Sequence, residues 1–153
     1  MDSLNEIRRV LRESSDPDNP TAERLAELLR DVQHVAVVGL SRHLEKPARR
    51  IPSYLAAKGL DMIPVNPHAK RLLGRECYPS LGEVPETVDL VLVFRPSEVA
   101  GEFVNAALAR PDKPAIWLQT GLRYDDAAGE ARDTGRTVIQ DLCIFRVYRA
   151  LIA

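Results

Sequence analysis

The chain has 153 residues, of which 45% are hydrophobic and 28% are charged, and its formal net charge at pH 7 is -1. A chain of this length usually forms one domain with its own core. We therefore expect a single domain over residues 1–153, with residues 1–31 as an N-terminal helical extension. The near-zero charge argues against general affinity for nucleic acid or for anionic membranes.

The two cysteines, Cys77 and Cys143, lie far apart and form no C-x-x-C pair. This usage predicts neither a disulfide framework nor a zinc site, and it is typical of a reducing compartment. No apolar stretch approaches the roughly 18 residues that a membrane span needs, and the charged N-terminus lacks the apolar core of a signal peptide. We expect a cytoplasmic protein without nucleic-acid or membrane partners, and charge on the last helices leaves a homodimer open.

Apolar periodicity and turn residues divide the chain into helices and strands. The pattern predicts helices over residues 2–13, from Thr21 toward the first strand, 47–58, 97 to about 110, 124–134 and 142–151, and one helical turn over 80–84. It predicts strands over residues 34–38, 60–65, 75–79, 89–94, 115–119 and 137–140, with a basic turn over 68–74. Most strands are short unbroken apolar runs, as in parallel strands buried on both faces. We predict an α/β fold, with a doubly wound, mainly parallel sheet of five to six strands and helices on both faces.

Ligands of a doubly wound sheet bind beyond the carboxyl ends of its strands. The residues that follow four of the predicted strands are small, polar or turn-forming: Gly39-Leu40-Ser41, Val65-Asn66-Pro67, Phe94-Arg95-Pro96 and Gln119-Thr120-Gly121. Because parallel strands end at the same edge of a sheet, we expect these residues to line a common ligand site.

The loop after the first strand leads directly into a helix that Pro47 opens. A strand, a tight loop and a helix start direct backbone N–H groups and the positive end of the helix at an anion, usually a phosphate. Gly39 lets a phosphate approach the backbone because it has no Cβ, and Ser41, Lys46 and Arg50 add polar or positive groups. We predict a phosphate site here, although Gly39 alone would also suit an ordinary turn.

The dinucleotide fingerprint G-x-G-x-x-G is absent, since Ser41 and Leu44 stand at its second and third glycines. Asn66 replaces the acid that usually holds the adenosine ribose at the end of the second strand. Lys70 follows, and residues 34–75 carry eight Lys or Arg against two acidic residues. This charge favours an adenosine with an extra phosphate, as in coenzyme A or NADP, but it also fits a solvated basic surface.

The sequence predicts no catalytic residues and no metal site. The three histidines lack the spacing of metal ligands, and Ser41 lacks the G-x-S-x-G frame of a hydrolase nucleophile. Cys143 has no evident base nearby in the sequence and suits a packed interior. We therefore expect a chain that binds a ligand rather than one that carries a complete catalytic set.

Several ordered motifs resemble those of the small stand-alone CoA-binding proteins, which are similar to the N-terminal CoA-binding domain of the succinyl-CoA synthetase α-subunit. The motifs are G-L-S at 39–41, P-V-N-P at 64–67, Y-P-S-L at 78–81, V-F-R-P at 93–96, W-L-Q-T-G at 117–121 and D-x-C at 141–143. The likeness covers about residues 33–148 and leaves the N-terminal helices outside it.

The resemblance implies a Rossmann-like domain that binds coenzyme A or an acyl-CoA. The contacts that it assigns are, for the phosphates, Gly39, Leu40, Ser41 and the following helix start; for adenine and ribose, Val65, Asn66 and Pro67; for the adenosine end, Lys70; and, for the pantetheine arm, Phe94, Arg95, Pro96, Thr120 and Gly121. Ala48 stands where the family usually has Ser, so one hydroxyl contact to phosphate is missing. Ligase activity is not carried over, because the synthetase's phosphorylated histidine lies in a segment that this chain does not match.

Two other functions stay open on the residues alone. An NADP-dependent oxidoreductase would explain a site for an extra phosphate, although the missing third glycine of the fingerprint counts against it. An interaction or regulatory module could use the same fold without a ligand.

Overall fold

The computed structural model describes residues 3–152, so residues 1, 2 and 153, including the predicted first residue of the first helix, lie outside it. Its α-helices are α1 (Ser3–Arg12), α2 (Ala22–Asp31), α3 (Pro47–Ala57), α4 (Ser97–Leu108), α5 (Asp125–Asp133) and α6 (Ile144–Ile152). A short 3-10 helix covers Leu81–Glu83, inside the predicted turn. Within the described range, no helix is both long and apolar enough to cross a bilayer.

The strands are β1 (His34–Val38), β2 (Asp61–Val65), β3 (Arg71–Leu72), β4 (Arg75–Glu76), β5 (Leu90–Val93), β6 (Ala115–Leu118) and β7 (Val138–Ile139). One five-stranded sheet has the order β2-β1-β5-β6-β7, and each neighbouring pair in it is parallel. This arrangement confirms the predicted doubly wound, Rossmann-like α/β sheet. The chain runs outward from β1 to β2 and then, from β5, in the opposite direction, so the switch point lies between β1 and β5.

Alternating residues of β1 supply two core layers, one on each face of the sheet. Val35 and Val37 pack into the layer that α1, α2, α3 and α6 cover. Ala36 and Val38 pack into the layer that α4 and α5 cover. Since successive side chains of a strand point to opposite faces, a strand buried on both sides must be apolar throughout. Burial on both faces therefore explains the unbroken apolar run from which β1 was predicted.

The segment after β2 differs from the prediction. The predicted strand over residues 75–79 is wrong, because only Arg75–Glu76 form a strand there. That strand, β4, pairs with β3 in an antiparallel hairpin outside the main sheet. Leu73 and Gly74 close that hairpin with φ values of 54° and 67°, the left-handed conformations that two-residue hairpin turns require. Tyr78 then touches the sheet edge through one bridge to Val65.

The N-terminal helices pack on the same face of the sheet as α3 and α6. Ile7 and Val10 of α1 are buried in the core layer on that face, and α1 lies along α6. Thr21 caps α2 as predicted, with its Oγ1 accepting the backbone N–H of Arg24 at 3.2 Å. The helices therefore contribute to the main core and do not form a separate lobe.

Candidate functional site

Gly39 lies directly after β1, at the switch point of the sheet. Its φ is 89°, and an added Cβ would lie 3.1 Å from Cδ of Arg95 and 3.2 Å from the carbonyl carbon of Phe94. Both the backbone conformation and the close neighbours therefore require glycine. The loops after β1 and β5 approach each other here, as the strand order predicts for the ligand edge.

The start of α3 offers an uncompensated positive helix end. Lys46 is the N-cap residue and makes no side-chain capping bond, and the first turn of α3 holds no acidic residue. The loop before it is held internally, because the N–H of Ser41 donates to the carbonyl oxygen of Ala48 at 3.1 Å and its Oγ accepts the N–H of His43 at 3.0 Å. Without an acidic side chain, this helix end is suited to an external anion.

A first cavity of about 610 Å³ opens on the β2 side of the switch point. It is lined by five of the predicted site residues, Gly39, Val65, Asn66, Pro67 and Arg95. The walls also include His68, Ser80, Leu81, Glu102 and Phe103. Asn66 is fixed in this wall, since its Oδ1 accepts the N–H of His68 at 2.8 Å. Apolar walls with a few polar groups are suited to a flat heterocycle and its sugar.

A second cavity of about 590 Å³ opens on the opposite side, between α3 and α6. It is lined by four of the residues expected at the site, Arg50, Phe94, Gln119 and Thr120. Its other lining residues are Pro47, Ile51, Cys143, Phe145, Arg146 and Arg149. The two cavities therefore flank the loop that carries Gly39 and the start of α3.

The remaining predicted site residues line neither cavity. Leu40 is buried in the core with 3% of its surface exposed, so only its backbone can face a ligand. Lys46 and Pro96 are the N-cap residues of α3 and α4, and Lys70 is exposed directly before β3. Ser41 stabilises the β1–α3 loop, and Gly121 lies within the loop between β6 and α5 with a φ of 82°.

Asp141 ties the Thr120-Gly121 loop to the segment after α1. Its Oδ1 accepts the N–H of Gly121 at 2.6 Å, and its Oδ2 accepts the N–H and Oγ–H of Ser15 at 2.8 and 2.7 Å. Burial raises the pKa of Asp141, but these hydrogen bonds and the charge of Arg123 outweigh burial, so the pKa lies below its usual 3.8. The carboxylate thus holds one wall loop of the second cavity in position.

A family model described as a CoA binding domain matches residues 33–149, from the residue before β1 to α6. The chain belongs to this family. The matched range contains both cavities and the switch point, whereas α1 and α2 precede it. Membership of the CoA-binding domain family supports binding of coenzyme A.

Related sequences include stand-alone proteins and much larger ligases. The chain is 37% identical over 130 residues to the uncharacterized protein YneT of Bacillus subtilis, covering 82% of this chain and 93% of YneT. It is 31% identical over 106 residues to an ADP-forming acetate–CoA ligase of Archaeoglobus fulgidus, covering 66% of this chain. That alignment covers only 16% of the ligase. The likeness therefore extends to one part of the ligase.

Two solved structures share the fold over nearly their whole length. A hypothetical protein from Pyrococcus horikoshii superposes with a TM-score of 0.84 at 29% identity, covering 92% of this chain and 99% of that protein. A Thermus thermophilus protein superposes with a TM-score of 0.79 at 30% identity, covering 84% and 97%. The CoA-binding domain described here therefore accounts for nearly the whole of each of these two proteins.

Sequence reasoning missed part of the second cavity of this CoA-binding domain. Gln119 was expected at the site, and Cys143 stands in the D-x-C motif, so its proximity to the site had a signal in the sequence. Phe145, Arg146 and Arg149 had none, because their position depends on how α6 packs against α3. Glu102 and Phe103 of the first cavity likewise belong to an ordinary helical pattern.

Proposed function

We propose that the chain binds coenzyme A or an acyl-CoA across the carboxyl edge of its sheet, without a catalytic step of its own. The adenosine end occupies the first cavity, and the phosphates lie at Gly39 and the start of α3. The pantetheine arm passes Phe94 and Thr120 toward the second cavity. Two unpaired cysteines and the absence of a spanning helix within residues 3–152 suit a cytoplasmic protein, which forms part of the same proposal.

One observation carries this proposal: an acid-free helix start lies between two cavities at the switch point of a CoA-binding family member. A helix end of this kind attracts phosphate through the helix dipole and, here, through the N–H of Ala48, which has no acceptor among the described residues. A molecule with a phosphate group in its middle and a bulky group at each end would use all three features. Coenzyme A has this shape, with adenosine at one end and the pantetheine arm at the other.

The experiment compares ligands by thermal unfolding of the full chain and by calorimetric titration. We expect coenzyme A to raise Tm by several degrees at 100 times its Kd, because a ligand that binds only the native state stabilises it by about 2.7 kcal/mol. 3′-Dephospho-CoA should raise Tm less, since it lacks the phosphate that we assign to Lys70. No shift with coenzyme A, together with a clear shift with NADPH, would refute the proposal.

The Lys70→Ala variant tests the adenosine end. Loss of one charge-assisted contact should weaken coenzyme A binding about tenfold while leaving 3′-dephospho-CoA binding nearly unchanged. Lys58→Ala is the matched control, because Lys58 lies at the C-terminal end of α3, beyond the far end of the helix. If the unmodified chain bound coenzyme A and 3′-dephospho-CoA equally well, Lys70 would not bind the 3′-phosphate.

A further inference from the structure

The second cavity has an apolar floor and a polar rim. Ile51, Phe94 and Phe145 supply apolar walls, and the volume of about 590 Å³ lies within the range of small-molecule sites. Tyr54 supports the outer wall, where its ring meets that of Phe145 edge-on at a centroid distance of 4.7 Å. The cavity therefore has fixed walls, and it lies beyond the loops assigned to the pantetheine arm.

Gln119 presents a fixed hydrogen-bond donor to this cavity. Only 6% of the residue is exposed, and its Oε1 accepts the backbone N–H of Ile144 at 2.8 Å. Because a backbone N–H needs an oxygen acceptor, the amide nitrogen must occupy the other side of the group. Among residues 3–152 that amide nitrogen has no acceptor. Gln119 lines the cavity, and a carbonyl oxygen on the occupant is a suitable acceptor for its amide N–H groups.

The charge of the rim is positive. Arg50, Arg146 and Arg149 line the cavity, whereas no Asp or Glu of the described residues does. Arg146 is paired with Glu13, and Arg149 is stacked at 5.3 Å over Phe145. Within residues 3–152, neither Arg50 nor Arg149 forms an ion pair with a carboxylate. Two such guanidinium groups beside an apolar floor favour an apolar chain that ends in an anion.

On the basis of the proposed function, we propose that the second cavity is the acyl site for a CoA thioester whose acyl chain ends in a carboxylate. Such a ligand is the monothioester of a dicarboxylic acid. The amide nitrogen of Gln119 donates to the thioester carbonyl oxygen. Arg149 binds the free carboxylate, and the methylene groups lie on Ile51 and Phe145, whereas Arg50 lies in the first turn of α3, where the phosphates are proposed to bind. A neutral acyl chain of equal length would make the same apolar contacts but leave Arg149 without an anion.

Titration calorimetry of the full chain with glutaryl-CoA, pentanoyl-CoA and coenzyme A tests this assignment. The two thioesters have five-carbon acyl chains and differ in the terminal carboxylate. We expect glutaryl-CoA to bind about tenfold more tightly than pentanoyl-CoA, since a charge-assisted bond contributes this much. Arg149→Gln should remove most of that preference. Arg12→Gln, which makes the same exchange at an exposed position on α1, should keep it.

Gln119→Glu tests the donor separately, because glutamate retains an oxygen for Ile144 and loses the amide hydrogens. The affinity of each thioester, expressed as a ratio to that of coenzyme A, should then be lower for the variant than for the unmodified chain. Equal affinity for glutaryl-CoA and pentanoyl-CoA, with coenzyme A still bound, would overturn the acyl site and leave the proposed function intact. Failure of all three ligands to bind would overturn the proposed function itself.

Discussion

Gly39 combines two constraints at one position. Its φ of 89° is unfavourable for other residues, and a Cβ would press on Phe94 and Arg95. Gly121 has a similar φ of 82°, yet an added Cβ there would meet no atom within 4 Å. The two glycines therefore separate the cost of the backbone conformation from the cost of the close approach between the loops after β1 and β5.

Gly39→Ala should destabilise the chain more than Gly121→Ala does. A left-handed conformation costs about 1–2 kcal/mol for either alanine, and the contact with Phe94 adds about 1–3 kcal/mol of overpacking at residue 39. Urea unfolding at pH 7 measures both variants. We also expect Gly39→Ala to weaken thermal protection by coenzyme A, because the methyl group displaces the backbone of Phe94 and the side chain of Arg95 at the ligand edge. Equal destabilisation of the two variants would contradict the proposed close approach.

At the scale of the element, α1 joins the core of the domain by packing against α6. Ile7 is fully buried in that interface. Ile7→Ala should lower the free energy of unfolding by about 2–5 kcal/mol, because it removes buried apolar groups from the core and leaves a cavity there. Leu44→Ala removes a comparable side chain that is 70% exposed, so it should change stability by under about 0.5 kcal/mol. Denaturant midpoints of the ligand-free variants give the comparison, and similar losses would refute the role of α1 in the core.

The elements that were predictable share a local signal. β1 is apolar because both faces are buried, and α3 is marked by Pro47 at its start and Gly59 after its end. The β3–β4 hairpin has weaker signals, since its strands are two residues each and its turn begins with Leu73 rather than glycine or asparagine. The first cavity follows from strand order, whereas the second depends on contacts between α3 and α6 that no local pattern specifies.

At the scale of the whole molecule, a buried polar network joins the segment after α1 to the carboxyl edge of the sheet. Asp16 accepts hydrogen bonds from Arg132 and Gln140, at 3.0 and 2.9 Å, and its side chain is 1% exposed. Burial raises the pKa of Asp16, but these bonds outweigh it, so the pKa lies below its usual 3.8. Asp141 holds Ser15 in the same way. The network therefore favours the ionised form of both carboxyl groups.

This network predicts a stability that falls in acid. A carboxyl group with a lowered native pKa binds protons less readily when folded, so its contribution is complete above the unfolded value of 3.8 and is lost as the pH falls through the lower native pKa. The contribution of Asp16 and Asp141 to the free energy of unfolding should be the same at pH 7 and at pH 5. Urea unfolding should therefore show a clear decrease in stability only below pH 3.8.

Asp141→Asn should lower stability at pH 7 by about 1–2 kcal/mol, because the charge-assisted bonds to Ser15 and Gly121 are weakened. Since the variant has one fewer titrating carboxylate, its stability should also decrease less steeply below pH 3.8 than that of the unmodified chain. Asp126→Asn, at an exposed position of α5, is the control and should keep the original pH profile. If Asp141→Asn retained both the stability and the acid slope, Asp141 would not join the N-terminal segment to the ligand edge, and the Thr120-Gly121 loop would need another support.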